Sequence, residues 1–300
     1  MNYRDIQKTM KIGIMGANYV PPVEMSQPDK GRWLIARSAE LGCDCLHYSV
    51  DFPETDEEIG AIRDLLDKTG VELELRAVRG IYELAGPGAA QARQSILDRI
   101  VTMKRLGSRI MRSGYGSLRI EMSRFAPDGR EQLRKIEASL KEAARIMEDQ
   151  DVYLAIENHC DFKASDLANV FEAVDSPHVG CALDTANGYT VFNDPDLEVA
   201  QLAPYALTTH MKDMLMVQET VGPRIPFRPI GTALGEGSVN LPLAIETLTR
   251  KARSPIGLHM IVELGWIRYE ADATPAQKAE IANGMLHRSI DYLRNYLRNA

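Results

Sequence analysis

The sequence predicts a single (β/α)8 barrel spanning residues 1–300, with 1–10 as an N-terminal extension. Three observations carry that prediction. Short apolar runs recur eight times, an amphipathic stretch follows each, and neither a GxGxxG nor a GxxxxGK[ST] phosphate loop occurs. Continuous rather than alternating apolar strands belong in a parallel sheet covered on its outer side. Eight such strand–helix units close into a barrel. A doubly wound open sheet is the runner-up, and it normally has fewer strands.

The elements follow in order. KIGIMG (11–16) opens the series, with a helix expected over about 30–41. CDCLHYSV (43–50) leads to a helix near 55–69, and ELELRAV (72–78) to one near 88–106. After SRIMRSG (108–114) comes the clearest helix, 130–150, where Leu133, Ile136, Leu140 and Met147 share a face and Glu137 pairs outward with Lys141. VYLAIEN (152–158) precedes a helix at 163–174, VGCALDT (179–185) one at 195–203, and LTTHMKD (207–213) one at 240–252. GLHMIVEL (257–264) completes the eight. The last helix starts at Thr274-Pro275, an N-cap with proline at the first helical position, and is expected to turn Ile281, Met285, Leu293 and Leu297 inward. Loop 214–238 is too long for a plain connection. It reads as a lid, with Arg224 or Arg228 over a substrate, or as a protein interface.

Composition narrows the function. Net charge is −7, which argues against a nucleic-acid partner, since a phosphate-backbone binder normally presents a basic face. No apolar run approaches a membrane span and the N-terminus lacks the apolar centre of a signal peptide, so a cytoplasmic location is expected. Four cysteines without a CxxC fit reduced thiols, with Cys43 and Cys45 as packing residues.

One stretch changes character abruptly. VYLAIENHCDF (152–162) runs from apolar residues straight into Glu157, Asn158, His159 and Asp161. A charge at the rim of a core is costly unless paired. In a barrel, chemistry sits at the C-terminal strand ends, and the last four strands end on Glu157, Asp184, His210 and Glu263. Each alone reads more simply as a cap, an ion-pair partner or a satisfied core histidine. Together, three carboxylates and an imidazole suit one divalent cation, Mn²⁺ first, with Mg²⁺, Co²⁺ or Zn²⁺ as alternatives.

IENH, LDTAN, HMKD, LGEGSVN (234–240) and the final IVEL stand in the order and approximate spacing of a known group. The chain resembles the xylose isomerase-like TIM barrel superfamily, in particular its sugar phosphate isomerase/epimerase-type members, from Lys11 onward and most densely over 152–264. The resemblance implies that Glu157, Asp184, His210 and Glu263 bind one metal, often manganese, and that Glu157 and Glu263 act as acid and base. It departs at Asn187, where many sugar epimerases carry a histidine that touches substrate. An amide hydrogen-bonds a hydroxyl but does not exchange a proton near neutral pH.

The expected activity is isomerisation or epimerisation of a ketose or keto-sugar through an enediolate. The rival is a lyase or dehydratase sharing the opening proton removal, including cleavage of 3-oxo-glycosides with a small partner subunit. Asn158 and His159 are candidates for substrate contact, His159 also as a separate base or as support for the ligands. Lys212 either anchors substrate or pairs with Asp213. Trp266 either stacks on a sugar face or plugs the rim. On earlier strands, His47 and Arg112 could point into the same mouth, with packing or surface pairing the favoured reading over substrate contact. Relatives often form homo-oligomers, and one is expected here. A three-metal nuclease needs more than the six histidines present, a non-catalytic binding barrel would hold no metal, and no GxSxG supports a serine hydrolase.

Overall fold

The structure, a computed structural model, describes residues 10–299 apart from 22–23, 52, 54, 117, 219–226 and 254–256. Residues 1–9 of the expected N-terminal extension and Arg224 lie outside the described residues.

Eight parallel strands close the barrel: β1 (Lys11–Met15), β2 (Cys45–Tyr48), β3 (Glu72–Arg76), β4 (Ile110–Gly114), β5 (Tyr153–Glu157), β6 (Val179–Asp184), β7 (Ala206–Met211) and β10 (His259–Val262), with β10 pairing β1 to shut the ring. Between β7 and β10 lie two further strands, β8 (Asp213–Gln218) and β9 (Phe227–Thr232), paired antiparallel outside the barrel. Much of the expected loop 214–238 is therefore a β-hairpin. Its backbone satisfies its own polar groups through six cross-strand residue pairs, from Asp213↔Thr232 to Gln218↔Phe227.

The helices form the outer ring: α1 (Gln27–Glu40), α2 (Asp56–Thr69), α3 (Ala89–Arg105), α4 (Gly129–Gln150), α5 (Ala164–Val174), α6 (Pro195–Leu202), α7 (Leu241–Lys251) and α8 (Pro275–Asn299). Their starts are written locally. Ser26 caps α1, Thr55 and Glu58 form a reciprocal capping box at α2, and Asp194 and Asn240 cap α6 and α7, each just ahead of a proline in the first turn. Thr274 accepts from the Gln277 backbone at 3.3 Å, as expected for the cap of α8. Each helix turns an apolar stripe onto the strands, such as Ile96 and Ile100 on α3 and Ile136, Leu140 and Met147 on α4. Each such buried side chain contributes about 1.5–3 kcal/mol. Ile281 departs from expectation. The buried stripe of α8 runs through Ala282, Met285, Leu286, Ser289, Ile290 and Leu293, one position out of phase with Ile281, which is 41% exposed.

The inner face of the barrel is polar in a column. Alternation along β3 sends Glu74 inward, where it accepts from Thr208 and from His259 Nδ1 at 2.7 Å. Below it, Glu72 takes His259 Nε2 at 3.0 Å and pairs with Lys11. Above it, Arg112 Nε lies 3.7 Å from Glu74 Oε2. This column carries fixed charge from the base of the barrel to its C-terminal mouth.

Candidate metal centre

The ends of β5 and β6, together with His210 near the end of β7 and Glu263 just past β10, converge. One ligand atom from each of Glu157, Asp184, His210 and Glu263 lies within 4.8 Å of the others. His210 Nδ1 is the inward atom, 2.5 Å from Glu263 Oε2, 3.2 Å from Glu157 Oε1 and 3.9 Å from Asp184 Oδ2. Asp184 and His210 are buried, and Glu157 and Glu263 border solvent.

The strand ends are held by short-range bonds. Asn158 spans to β6, its amide donating to the Asp184 carbonyl at 2.9 Å and its Oδ1 accepting the Asp184 N–H at 2.7 Å. Asp184 Oδ1 then accepts the backbone N–H groups of Ala186 and Asn187, each at 2.8 Å. That leaves Oδ2 facing the centre. Asn187 donates to Glu157 Oε1 at 3.2 Å and accepts from Lys212 Nζ at 3.0 Å.

Lys212 is 3% exposed and sits 2.7 Å from Asp184 Oδ2 and 3.1 Å from Glu263 Oε2. Burial opposes its charge, but the facing carboxylates more than offset that and raise its pKa above the usual lysine value. The alternative pairing with Asp213 does not occur. Successive strand residues face opposite ways, and Asp213 instead binds the backbone N–H groups of Met214, Gly235, Gly237 and Val239.

His47 and Arg112 turn into the mouth, the less favoured of the two readings, and neither is a surface pair. Arg112 is 2% exposed at the heart of the site. Its Nη1 contacts His210 Nε2 and lies 2.8 Å from His47 Nδ1, and its Nη2 lies 3.6 Å from Glu157 Oε2. An inward arginine there is set by the register of β4 on β5, where Arg112 pairs Ala155, two residues below Glu157.

The carboxylates respond to these cations. Burial alone would raise Glu157, but the neighbouring His210 and then Arg112 hold its pKa well below the carboxylate norm. Glu263 behaves the same way, burial being overcome by His210 and Lys212. Asp184 goes up, because burial and the two other carboxylates outweigh Lys212. Burial and Arg112 pull His210 down, and Glu263 and Glu157 carry it back above the ordinary histidine value.

The donor set fits a hard or borderline divalent cation. Asp184 Oδ2 and Glu263 Oε2 are buried without a hydrogen bond of acceptable geometry, although both lie near Lys212 or His210. Buried oxygens of that kind call for a partner.

His159 lines a cavity of about 990 Å³ that opens beside Glu157, and its buried Nδ1 has no hydrogen-bond partner among the described residues. Trp266 is 38% exposed, with Lys212 Nζ 5.4 Å from its ring centroid. Its backbone takes φ +48°, uncommon for a bulky residue, and its carbonyl accepts the Gly231 N–H of β9 at 3.0 Å. Arg228 is exposed near the start of β9.

Comparison with known proteins agrees with this architecture. The family model described as xylose isomerase-like TIM barrel matches residues 35–285. A 3-oxo-isoapionate decarboxylase of Pectobacterium atrosepticum is 26% identical over 204 residues, 68% of this chain and 67% of that protein. D-psicose 3-epimerase from Clostridium cellulolyticum H10, solved with D-tagatose, superposes with a TM-score of 0.67 at 16% identity, covering 97% of this chain and 99% of that one. A xylose isomerase-like TIM barrel protein from Mycobacterium smegmatis in complex with magnesium gives a TM-score of 0.62 at 16% identity, covering 95% and 97%.

Proposed function

The chain belongs to the xylose isomerase-like TIM barrel family, and from that premise we propose that it is a divalent-metal-dependent isomerase or epimerase of a ketose or related keto-sugar. The observation that carries this reading is the convergence of four ligand atoms within 4.8 Å at the barrel mouth, next to a cavity large enough for a sugar. Glu157, Asp184, His210 and Glu263 would hold the cation. Manganese remains first choice for three carboxylates and an imidazole, with magnesium, cobalt or zinc as alternatives. When bound, such an ion supplies charge neutralisation for the carboxylates and Lewis acidity toward substrate oxygens.

This chain's residues divide the remaining work. Glu157 and Glu263 stay ionised at neutral pH, so either can accept a proton from the carbon beside the ketone. The C–H electron pair moves to the carbonyl, giving an enediolate; the second glutamate takes a proton from solvent and delivers it to the opposite face, and the first glutamate releases its proton to solvent. Lys212 stays protonated between Asp184 and Glu263 and offers its charge to the developing oxyanion. Asn187, bonded to both Glu157 and Lys212, orients a substrate hydroxyl without trading protons. Asn158 acts by fixing Asp184, and His159 faces the cavity as a hydroxyl contact or an auxiliary base. Trp266 stacks on the sugar, with Arg228 carried by the hairpin above.

A lyase reading shares the first step and has a specific observation behind it. Asn187 stands where many epimerases place a histidine, and the curated relative at 26% identity is a decarboxylase. The experiment that tests the isomerase reading is incubation of the metal-loaded protein in D₂O with ketoses and 3-oxo-glycosides, followed by product NMR. Deuterium at the carbon beside the ketone with a changed configuration supports isomerase action. Loss of water, an aglycone or CO₂ selects the lyase.

A further inference from the structure

The cavity beside Glu157 has two unlike ends. At one end stand Glu157, His159 and Arg112, the last committed to Glu74 and Glu157. Around the rest of the wall stand Arg76, Arg79, Arg99 and Arg119. They come from four separate segments: the end of β3, the turn after it, the body of α3 and the loop after β4. In a chain of net charge −7, four guanidinium groups on one cavity wall are an anomaly that sequence composition does not suggest.

Among the described residues, few acids face this wall. Glu83 is the acid that shares this wall, and Arg76 reaches Asp51 only at 4.0 Å, with both side chains more than half exposed. An exposed pair at that separation contributes little. Among the described residues Arg79 makes no ion pair, and the Arg119 guanidinium donates to the Met122 sulfur. Burial and then the charge of Arg76 lower the pKa of Arg99, so the guanidinium groups press on one another. A concave surface lined by one sign of charge concentrates ligands of the opposite sign, and arginine's planar fork matches carboxylate and phosphate oxygens.

We propose that this wall seats an anionic head group of the substrate, so that the sugar handled at the Glu157 end carries a carboxylate or phosphate. The inference rests on the reading of this mouth as a sugar site, and it narrows the substrate from neutral ketoses to acidic ones. The reacting carbons lie toward Glu157 and the anionic terminus lies toward Arg79 and Arg119.

Calorimetry on the full, metal-free chain tests the wall without requiring turnover. The probes are D-gluconate for the carboxylate, inorganic phosphate for the phosphate, and neutral D-sorbitol as the matched control. The variant is Arg79→Ala/Arg119→Ala, which removes two exposed side chains and leaves the packed core intact. The expected result is that gluconate or phosphate binds while sorbitol does not, that the double variant weakens the anion about tenfold or more, and that added NaCl weakens it further. Whichever anion binds more tightly identifies the head group. Anions binding no better than sorbitol, or equally well to the double variant, would overturn the proposal. The two readings separate cleanly. Anion binding without hydrogen exchange on any keto-sugar keeps the wall and removes the isomerase, and exchange on neutral ketoses without anion binding does the reverse.

Discussion

Nη1 of Arg112 contacts Nε2 of His210, behind the ring nitrogen that faces the three carboxylates. The guanidinium backs the ring, whose Nδ1 points at Glu263 and Glu157. The same side chain neutralises Glu74 below and Glu157 beside it. Arg112→Ala leaves two acids without that cation, and breaking a buried pair in this way costs about 3–5 kcal/mol. Urea unfolding with a chelator present is expected to register that loss. Arg112→Lys restores charge without the fork and is expected to fall between. A cost below about 1 kcal/mol for the alanine variant would refute the role of Arg112 as an internal counter-ion.

Removing ligands separates binding from chemistry. Asp184→Ala and His210→Ala are expected to lower bound metal per chain, measured by atomic emission after dialysis, and full stoichiometry in both would contradict the ligand assignment. Glu157→Gln and Glu263→Gln are each expected to lower kcat by about 10² or more, the usual scale for a lost acid–base group. Near wild-type turnover in either would remove that glutamate from the proton path.

The hairpin is docked through one glycine. A Cβ on Gly231 would stand 1.6 Å from the Gly265 carbonyl oxygen, on the segment that carries Trp266. Gly231→Ala should therefore push β9 off the 265–267 segment and disturb Trp266 above Lys212, leaving the barrel strands paired. With two tryptophans in the chain, Trp33→Phe makes Trp266 the sole reporter. A red-shifted emission is expected in the alanine variant. Unchanged emission would mean that the hairpin does not set the tryptophan.

Stability should depend on pH through the base of the barrel. Burial opposes charge on His259, but its hydrogen bonds to Glu72 and Glu74 raise its pKa to about 9 from 6.5. A raised pKa means stabilisation that is complete below about 6.5 and lost as pH climbs through about 9. Glu72 runs the other way, its hydrogen bond to His259 taking it to about 2 from 4.5, so its share is present above 4.5 and lost toward 2. His259→Gln should cost on the order of 2 kcal/mol near pH 6 and markedly less near pH 10. Equal penalties at both pH values would show that the imidazole is uncharged in the fold.

Much of the barrel was legible because its strands are continuous apolar runs that stop on a polar residue. That pattern located Glu157, Asp184, His210 and Glu263 without knowledge of their spacing in three dimensions. Period-two alternation along β7 carries a further signal. His210 pointing inward requires Lys212 to follow it and Asp213 to turn away, as found. Arg112 was less accessible, since its inward direction follows from strand register and its partners lie 38 to 98 residues away on other strands. The arginine wall was beyond sequence reading altogether, being assembled from residues 76 to 119 on four segments. Ile281 was misplaced because a one-residue error in helix phase moves a side chain about 100° around the axis.

The account stands most directly on the site of one ion. Crystals grown with Mn²⁺ and measured at a wavelength where manganese scatters anomalously are expected to give a single strong peak within coordination distance of Glu157, Asp184, Glu263 and the Nδ1 of His210. Saturating Mn²⁺ with no peak among those four side chains, or a peak elsewhere in the barrel, would contradict it.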